Sequence, residues 1–383
     1  MGSSEKFKKP ITLFLLTSLL VMCFAFSGTA EVYAEEVAVE IPVLKDEEFG
    51  ALYLGVTIKE FNEMGFTFGD SIDVILSNGF EMTDIPYFDG YYVPVGAPLA
   101  CGYPGYPHVA VAYNFGDSVW ALSGADNQTT AKVILREKGK YLATEELYQL
   151  AYSDVQQESE PDECFANFRE VTGGNMKKHL LYRSASPCDN THNRAECTDI
   201  LMKKAGIRCV LNLADSLEEL NVYREQEDYN SDYYDSLEAE GNVLLLNLGA
   251  NYMDERFCNV VSERLYDMIQ HEGPYLIHCL EGKDRTGFIC ALLLCLEGAS
   301  LQEIIDDYMV TFKNYYGIVK EENPERYEAV TVLIYSFLSY ITGTDAVQEL
   351  TPEVLKKGAE NYLSDGGLSE DQITEIEEAF RQE

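Results

Sequence analysis

Positive charge is what this sequence has least of. It carries 28 lysines and arginines against 65 acidic residues, a formal net charge of −37. Nucleic acids and anionic membrane faces repel such a surface, which disfavours both as general partners. An anionic ligand must then be held by a local basic pocket acting against the overall field. Histidine is scarce, five in 383 residues. The ten cysteines are scattered, with no Cys-x-x-Cys or zinc-ligand spacing, which excludes a zinc motif and a disulfide scaffold. No internal repeat or low-complexity tract is present, and beyond the N-terminus no apolar run approaches a membrane span.

The long apolar run at the N-terminus has its own logic. Lys6, Lys8 and Lys9 precede Ile11–Phe26, and Ser27-Gly28-Thr29-Ala30 follows. That order predicts a signal peptide over 1–34, cut after Ala30 or Ala34, and a secreted or cell-surface protein. An uncleaved N-terminal anchor is the alternative. Cys23 follows Met22 rather than a small residue, which argues against a lipid anchor. Removing the leader leaves an odd number of cysteines, as one free reactive thiol plus optional pairs would.

Residues 31–48 are acidic and read as a disordered tether. From Phe49 to about Leu142, short β-rich runs alternate with Gly, Pro and Asn. Ser71–Leu76, Tyr91–Val95, Val109–Tyr113 and Thr130–Leu135 are the predicted strands, with turns at Asn78-Gly79 and Asp89-Gly90. This predicts a small all-β barrel or sandwich as an N-terminal domain over 35–150. Gly65–Val74 is similar to the barrel at the C-terminal end of adenosylmethionine hydrolases, a resemblance that implies the barrel only. Its aromatics serve packing or offer a binding face for a surface ligand that the sequence does not name.

The polar stretch Ser153–Asp162 marks a join. After it, helical spacing over Ala195–Ala205 and 256–271 alternates with strand-like runs at 208–213, 242–248 and 275–277. Strands alternating with helices imply a mostly parallel sheet flanked by helices. Ligand belongs at the carboxyl ends of those strands, where the loops after Leu213, Leu248 and Ile277 converge. Two further helices, Ile304–Tyr316 and Tyr327–Ile341, and a helical tail over 352–382 broken at Gly366-Gly367 read as packing structure.

The chain is organised around Tyr275–Gly287, Tyr-Leu-Ile-His-Cys-Leu-Glu-Gly-Lys-Asp-Arg-Thr-Gly. A buried strand runs into a loop that opens on Cys279 and closes on Arg285, and the apolar helix 287–296 follows. A loop feeding a helix N-terminus offers unpaired N–H groups and the positive end of the helix dipole, a ready site for phosphate. Gly282 permits a tight turn towards an anion, and Arg285 can grip two oxygens side by side. The same field lowers a thiol pKa from about 8.5 into the range of roughly 3.5–7.5, which predicts a Cys279 thiolate. An anionic nucleophile beneath a captured phosphate points to phosphoryl transfer through a cysteinyl-phosphate. The bland alternative is a buried cysteine beside a surface salt bridge.

His278-Cys279-x-x-Gly282-Lys283-Asp284-Arg285-Thr286-Gly287 resembles the phosphate loop of cysteine-dependent phosphatases, in the secreted bacterial tyrosine-phosphatase branch that also acts on phosphoinositides. Asn167-Phe168-Arg169-Glu170 and Leu181-Tyr182-Arg183-Ser184 are similar to opening segments of the same family. The resemblance runs from residue 164 to the C-terminus, and implies an α/β cysteine-phosphatase fold over 164–383 with a small helical end. It implies no cofactor and no metal, and a phosphorylated protein or phosphoinositide as partner. It makes Cys279 the nucleophile and Arg285 the phosphate clamp, and gives Leu280, Glu281, Gly282, Lys283 and Thr286 to phosphate binding, with Thr286 also at the thiolate. Arg183 either reaches substrate or supports the loop beside Ser184. Lys283 is either a second cationic contact or a partner of Glu281. His278 orients Cys279 rather than shuttling protons. The leaving oxygen needs an acid, and Asp254, Asp284 and Asp215 compete in that order. Protein phosphotyrosine leads as substrate, ahead of phosphoinositides and inositol phosphates. The rival from another class is an inactive phosphate-binding attachment protein.

Overall fold

The structure, a computed structural model, describes residues 37–46, 50–150, 152–159 and 161–382. The expected signal peptide lies outside the described residues. Ile41 and Val43 are buried on one face of β1 (Ala38–Lys45), while Pro42 and Leu44 face outward, the alternation of a half-buried strand. The segment read as an acidic tether is therefore in part a strand. Its acidic residues masked a two-residue period carried by only a few apolar side chains.

β2 (Leu52–Leu54), the helix α1 (Ile58–Glu63), β3 (Asp70–Leu76) and β4 (Glu81–Phe88) follow, then β5 (Pro98–Cys101) and β6 (Val109–Tyr113). The helix α2 (Val119–Ser123), β7 (Thr130–Glu137) and the helix α3 (Leu142–Tyr148) complete this half. The strands close into a barrel in the order β1-β2-β6-β5-β4-β3-β7, with β1 pairing β7. Closure leaves no edge for another chain to extend. Tyr91–Val95 is not a strand: Pro94 has no N–H to give a ladder, and Tyr91 and Val93 instead pack on the small cluster of Ala51, Leu99, Cys101, Ala110 and Ala112.

After a short helix α4 (Asp162–Phe165), the second half alternates strand and helix as expected. Its elements are β8 (Arg169–Glu170), β9 (Leu181–Ser184), α5 (Ala195–Ala205), β10 (Cys209–Asn212), α6 (Leu217–Arg224), α7 (Asp232–Ala239) and β11 (Val243–Leu245). Then come α8 (Glu255–Met268), β12 (Tyr275–His278), α9 (Asp284–Leu296), α10 (Leu301–Tyr316), α11 (Pro324–Thr342), α12 (Pro352–Asp365) and α13 (Glu370–Phe380). The sheet order is β11-β10-β12-β9-β8, parallel except for β8 against β9, and β12 lies at its centre. Successive side chains of β12 go to opposite faces. Tyr275 and Ile277 join the core under α8–α13, and Leu276 joins the one under α5–α7. Every residue of α9 from Thr286 to Leu296 is buried, as an all-round apolar helix must be.

The barrel is seated on the α/β half by aromatics. Phe115, just after β6, lies 5.3 Å from Tyr252 and 6.5 Å from Phe288 of α9. Tyr92 stacks on Tyr148 at 4.7 Å, and the Tyr148 hydroxyl donates to Ala329 O of α11 at 2.7 Å.

Candidate active site

β12 delivers His278 to the carboxyl edge of the sheet between Asn212 of β10 and Ser184 of β9. The next residue, Cys279, is 3% exposed at the mouth of α9. The loop from Leu280 to Lys283 then turns back on the sheet, and each of its carbonyls is tied to the scaffold. Ser186 N donates to Leu280 O at 2.9 Å. Glu281 O accepts from the Tyr315 hydroxyl at 2.8 Å and from Asn167 Nδ2 at 3.2 Å. Gly282 O accepts from Arg183 Nη2 at 2.8 Å and from Asn167 Nδ2 at 3.2 Å, and Lys283 O takes Arg183 Nη2 at 3.2 Å.

A peptide's N–H points opposite to the carbonyl of the same unit. With the carbonyls of 280–283 turned outward, the N–H groups of 281–284 turn inward. Among the described residues, no protein group accepts from the N–H groups of Glu281 through Thr286. Several N–H groups turned to one side of a loop form a concavity that suits an anion. Gly282 makes the turn possible: its φ is +67°, and a Cβ there would stand 2.1 Å from Ser184 O.

Arg285 leads into the first turn of α9 and spans to the neighbouring loop, donating from Nη1 to Leu248 O at 2.8 Å. Thr286 Oγ1 is buried with no partner among the described residues. His278 is fully buried, with Nδ1 3.3 Å from Cys279 O, and burial drives its pKa down to about 3. It is neutral at any working pH, which suits an orienting residue and not a proton shuttle.

Of the two readings of Arg183, its contacts suit support of the loop: the guanidinium is fully buried and paired with Asp307 of α10 as well as with the loop carbonyls. Arg169 Nε stands 3.4 Å from the same carboxylate. Burial alone would raise the Asp307 pKa, but the two guanidiniums hold it below the usual carboxylate range.

The three acids separate. Asp215 is 4% exposed and accepts from Asn212 Nδ2 at 2.9 Å and the Tyr223 hydroxyl at 3.2 Å, and burial pushes its pKa up. Asp254 caps α8, with Oδ1 accepting from Arg256 N at 2.7 Å and Phe257 N at 3.3 Å. Asp284 opens α9 directly after the loop, with Oδ1 3.2 Å from the Tyr308 hydroxyl and Oδ2 3.8 Å from Lys283 Nζ. Lys283 pairs with Glu281 Oε2 at 2.9 Å, as one of its two readings expected.

Asn167, Asp307, Thr311 and Tyr315 were not legible as site residues. Asn167, fully buried with φ +49°, lies in the quoted Asn-Phe-Arg-Glu segment, so a signal was present without a role. Asp307, Thr311, whose Oγ1 accepts from Asn167 Nδ2 at 3.0 Å, and Tyr315 follow at four-residue spacing on one face of α10, and that polar stripe beside the helix's buried face was the available sign.

A cysteine directly after the central strand of such a sheet, followed by a run of N–H groups without a protein acceptor and by an arginine at the start of a helix, is the arrangement of cysteine-dependent phosphatases. A model of the tyrosine phosphatase family matches residues 163–382, and the chain belongs to that family. A tyrosine-protein phosphatase of Nostoc commune is 41% identical over 54 residues, 14% of this chain and 18% of that protein. Receptor-type tyrosine-protein phosphatase C of Homo sapiens is 40% identical over 58 residues, 13% of this chain. The matches span 18% and 4% of those relatives' own lengths. Among solved structures, the core catalytic domain of the PP-IP phosphatase SIW14 from S. cerevisiae, in complex with citrate, is 19% identical over 48% of this chain and 96% of its own. Its TM-score of 0.25 leaves the fold to rest on the strands and helices described above.

Proposed function

We propose that the protein hydrolyses phosphate monoesters through a phosphocysteine intermediate, with protein phosphotyrosine as the leading substrate. The observation that carries this reading is the run of N–H groups from Glu281 to Asp284, turned inward and without a protein acceptor among the described residues, between Cys279 and Arg285 in the chain. Such a cradle matches the three equatorial oxygens of a phosphoryl group in flight. Cys279 attacks phosphorus as the thiolate, the sulfur–phosphorus bond forms, and the ester oxygen leaves with a proton from an acid. Water then breaks the sulfur–phosphorus bond, releasing inorganic phosphate and the thiolate. To Thr286, whose Oγ1 is buried with no partner among the described residues, falls the role of donating to that thiolate as it is restored.

Asp284 replaces Asp254 as the preferred acid, because it stands beside the clamp while Asp254 is engaged as a helix cap. Asp284→Asn should slow turnover of esters with poor leaving groups by about 100-fold and spare activated aryl esters, the range for losing an acid. If Asp254→Asn alone behaves so, the assignment reverses.

Phosphoinositides form the second substrate reading, and the Lys283–Glu281 pair disfavours it by neutralising the extra cation. The test is orthovanadate-sensitive hydrolysis of a phosphotyrosine peptide, a phosphoinositide vesicle and inositol hexakisphosphate by wild type and Cys279→Ser. Wild type should favour the peptide, and the serine variant should bind it without turnover. Turnover of lipid with none of peptide would overturn the substrate choice, and no turnover at all would overturn the function. The leader supports export, so protein recovered outside the cell should begin near residue 31 or 35 by mass spectrometry.

A further inference from the structure

Between the barrel and the sheet, residues 152–154 are bound against the active-site loop and the residues beside it. Arg194, 3% exposed, donates from Nη2 to Ser153 O at 3.0 Å and from Nη1 to Asp154 Oδ1 at 2.7 Å. Its guanidinium also lies 4.8 Å from the centre of the Tyr152 ring. That ring stacks on Tyr315 at 5.1 Å and meets the edge of Tyr316 at 5.5 Å. The Tyr152 hydroxyl, beside the His192 ring, donates to Glu281 Oε1 at 2.6 Å. Glu281 Oε2 holds Lys283 Nζ at 2.9 Å. Both oxygens of this loop carboxylate are therefore engaged, one by the linker and one by the loop lysine.

We propose that Tyr152 is a specificity-determining positioning residue: by fixing Glu281 against Lys283 it cancels the loop's extra ammonium and restricts the site to substrates with a single phosphate. The inference rests on the phosphatase reading and deepens it. A second phosphate on a ligand would approach a lysine already flanked by the carboxylates of Glu281 and Asp284. Like charges placed against an unwanted ligand are a usual source of discrimination. Burial would raise the Glu281 pKa, yet Lys283 and Tyr152 bring it down to about 2, so the carboxylate stays charged across the working range. No signal in the residues 152–154 themselves announces this role; the tyrosine acts only through where the linker runs.

The test uses the full chain hydrolysing p-nitrophenyl phosphate, with inositol hexakisphosphate and inorganic phosphate as competing inhibitors. Tyr152→Phe keeps the stacked ring and removes the hydroxyl. The affinity for inositol hexakisphosphate relative to phosphate should rise about threefold in Tyr152→Phe and about tenfold in Glu281→Gln, through one lost element of repulsion in each case. Loss of support for the fold would lower both affinities together and leave their ratio unmoved. If Tyr152→Phe fails to fold, Glu281→Gln carries the test alone. An unchanged ratio in a folded, active variant overturns this inference and leaves the phosphatase reading standing. A wild type without phosphomonoesterase activity overturns both.

Discussion

Arg183 and Arg169 converge on Asp307, and the loop's carbonyls hang from the far side of Arg183. A buried charge whose partner is removed typically costs about 3–5 kcal/mol. Asp307→Asn should therefore lower stability in urea by about that amount, and lower kcat more than it raises KM, because the cradle loses its support. Unchanged urea midpoint and kcat would show that the two arginines need no counter-ion. At this scale the sequence was legible where position in one motif fixes position in the fold, as with Cys279 following β12 and Arg285 in the first turn of α9. It was not legible where partners meet only in the fold: Asp307 stands 124 residues from Arg183. Lys283 was ambiguous for the same reason, since no spacing says which neighbour its ammonium will choose.

The loop between β12 and α9 works because Gly282 lets it lie against β9. A side chain there meets both a positive φ of +67° and the Ser184 carbonyl, 2.1 Å from the position a Cβ would take. Gly282→Ala must displace backbone, so kcat/KM should fall by at least about 100-fold, as a misplacement of 1 Å can cause. Activity within a few-fold of wild type would mean that the loop tolerates a wider path. Elements with strong period and length were readable: α5 spans Ala195–Ala205 as expected, and β6 spans Val109–Tyr113. α9 begins at Asp284, three residues before the apolar run does, because helix geometry extends into the charged motif where hydrophobic pattern is silent. β1 was hidden by acidic neighbours, and Tyr91–Val95 was misread because aromatic content outweighed a proline.

At the scale of the whole molecule, α3, whose Tyr148 reaches α11, also carries a buried acid that faces a second one. Glu145 of α3 is fully buried, and its carboxyl, like Asp89 Oδ1, has no hydrogen-bond partner among the described residues. Burial and the charge of Asp89 push the Glu145 pKa up to about 8. The unfolded chain releases this proton near pH 4.5, so between about 4.5 and 8 the native state binds more protons than the unfolded one. The stabilisation is complete below that window and is lost as pH rises through it, with a slope of at most about 1.4 kcal/mol per pH unit. Glu145→Gln should flatten this dependence in denaturation measured from pH 5 to 8; an equally steep curve in the variant would place its origin elsewhere. The α/β architecture followed from alternating patterns alone. The docking of a barrel onto it through Phe115 did not, because a single aromatic after a strand carries no mark of what it will touch.

The tethering of the loop's carbonyls to Asn167, Arg183, Tyr315 and Ser186 bears on how the site is inhibited. An arriving oxyanion finds its receptacle already moulded, so little affinity is diverted into ordering the protein. What distinguishes one inhibitor from another is then how faithfully it copies the shape and charge of phosphorus between two bonds. Compact, rigid oxyanions suit such a receptacle better than flexible ligands that must drive a loop shut.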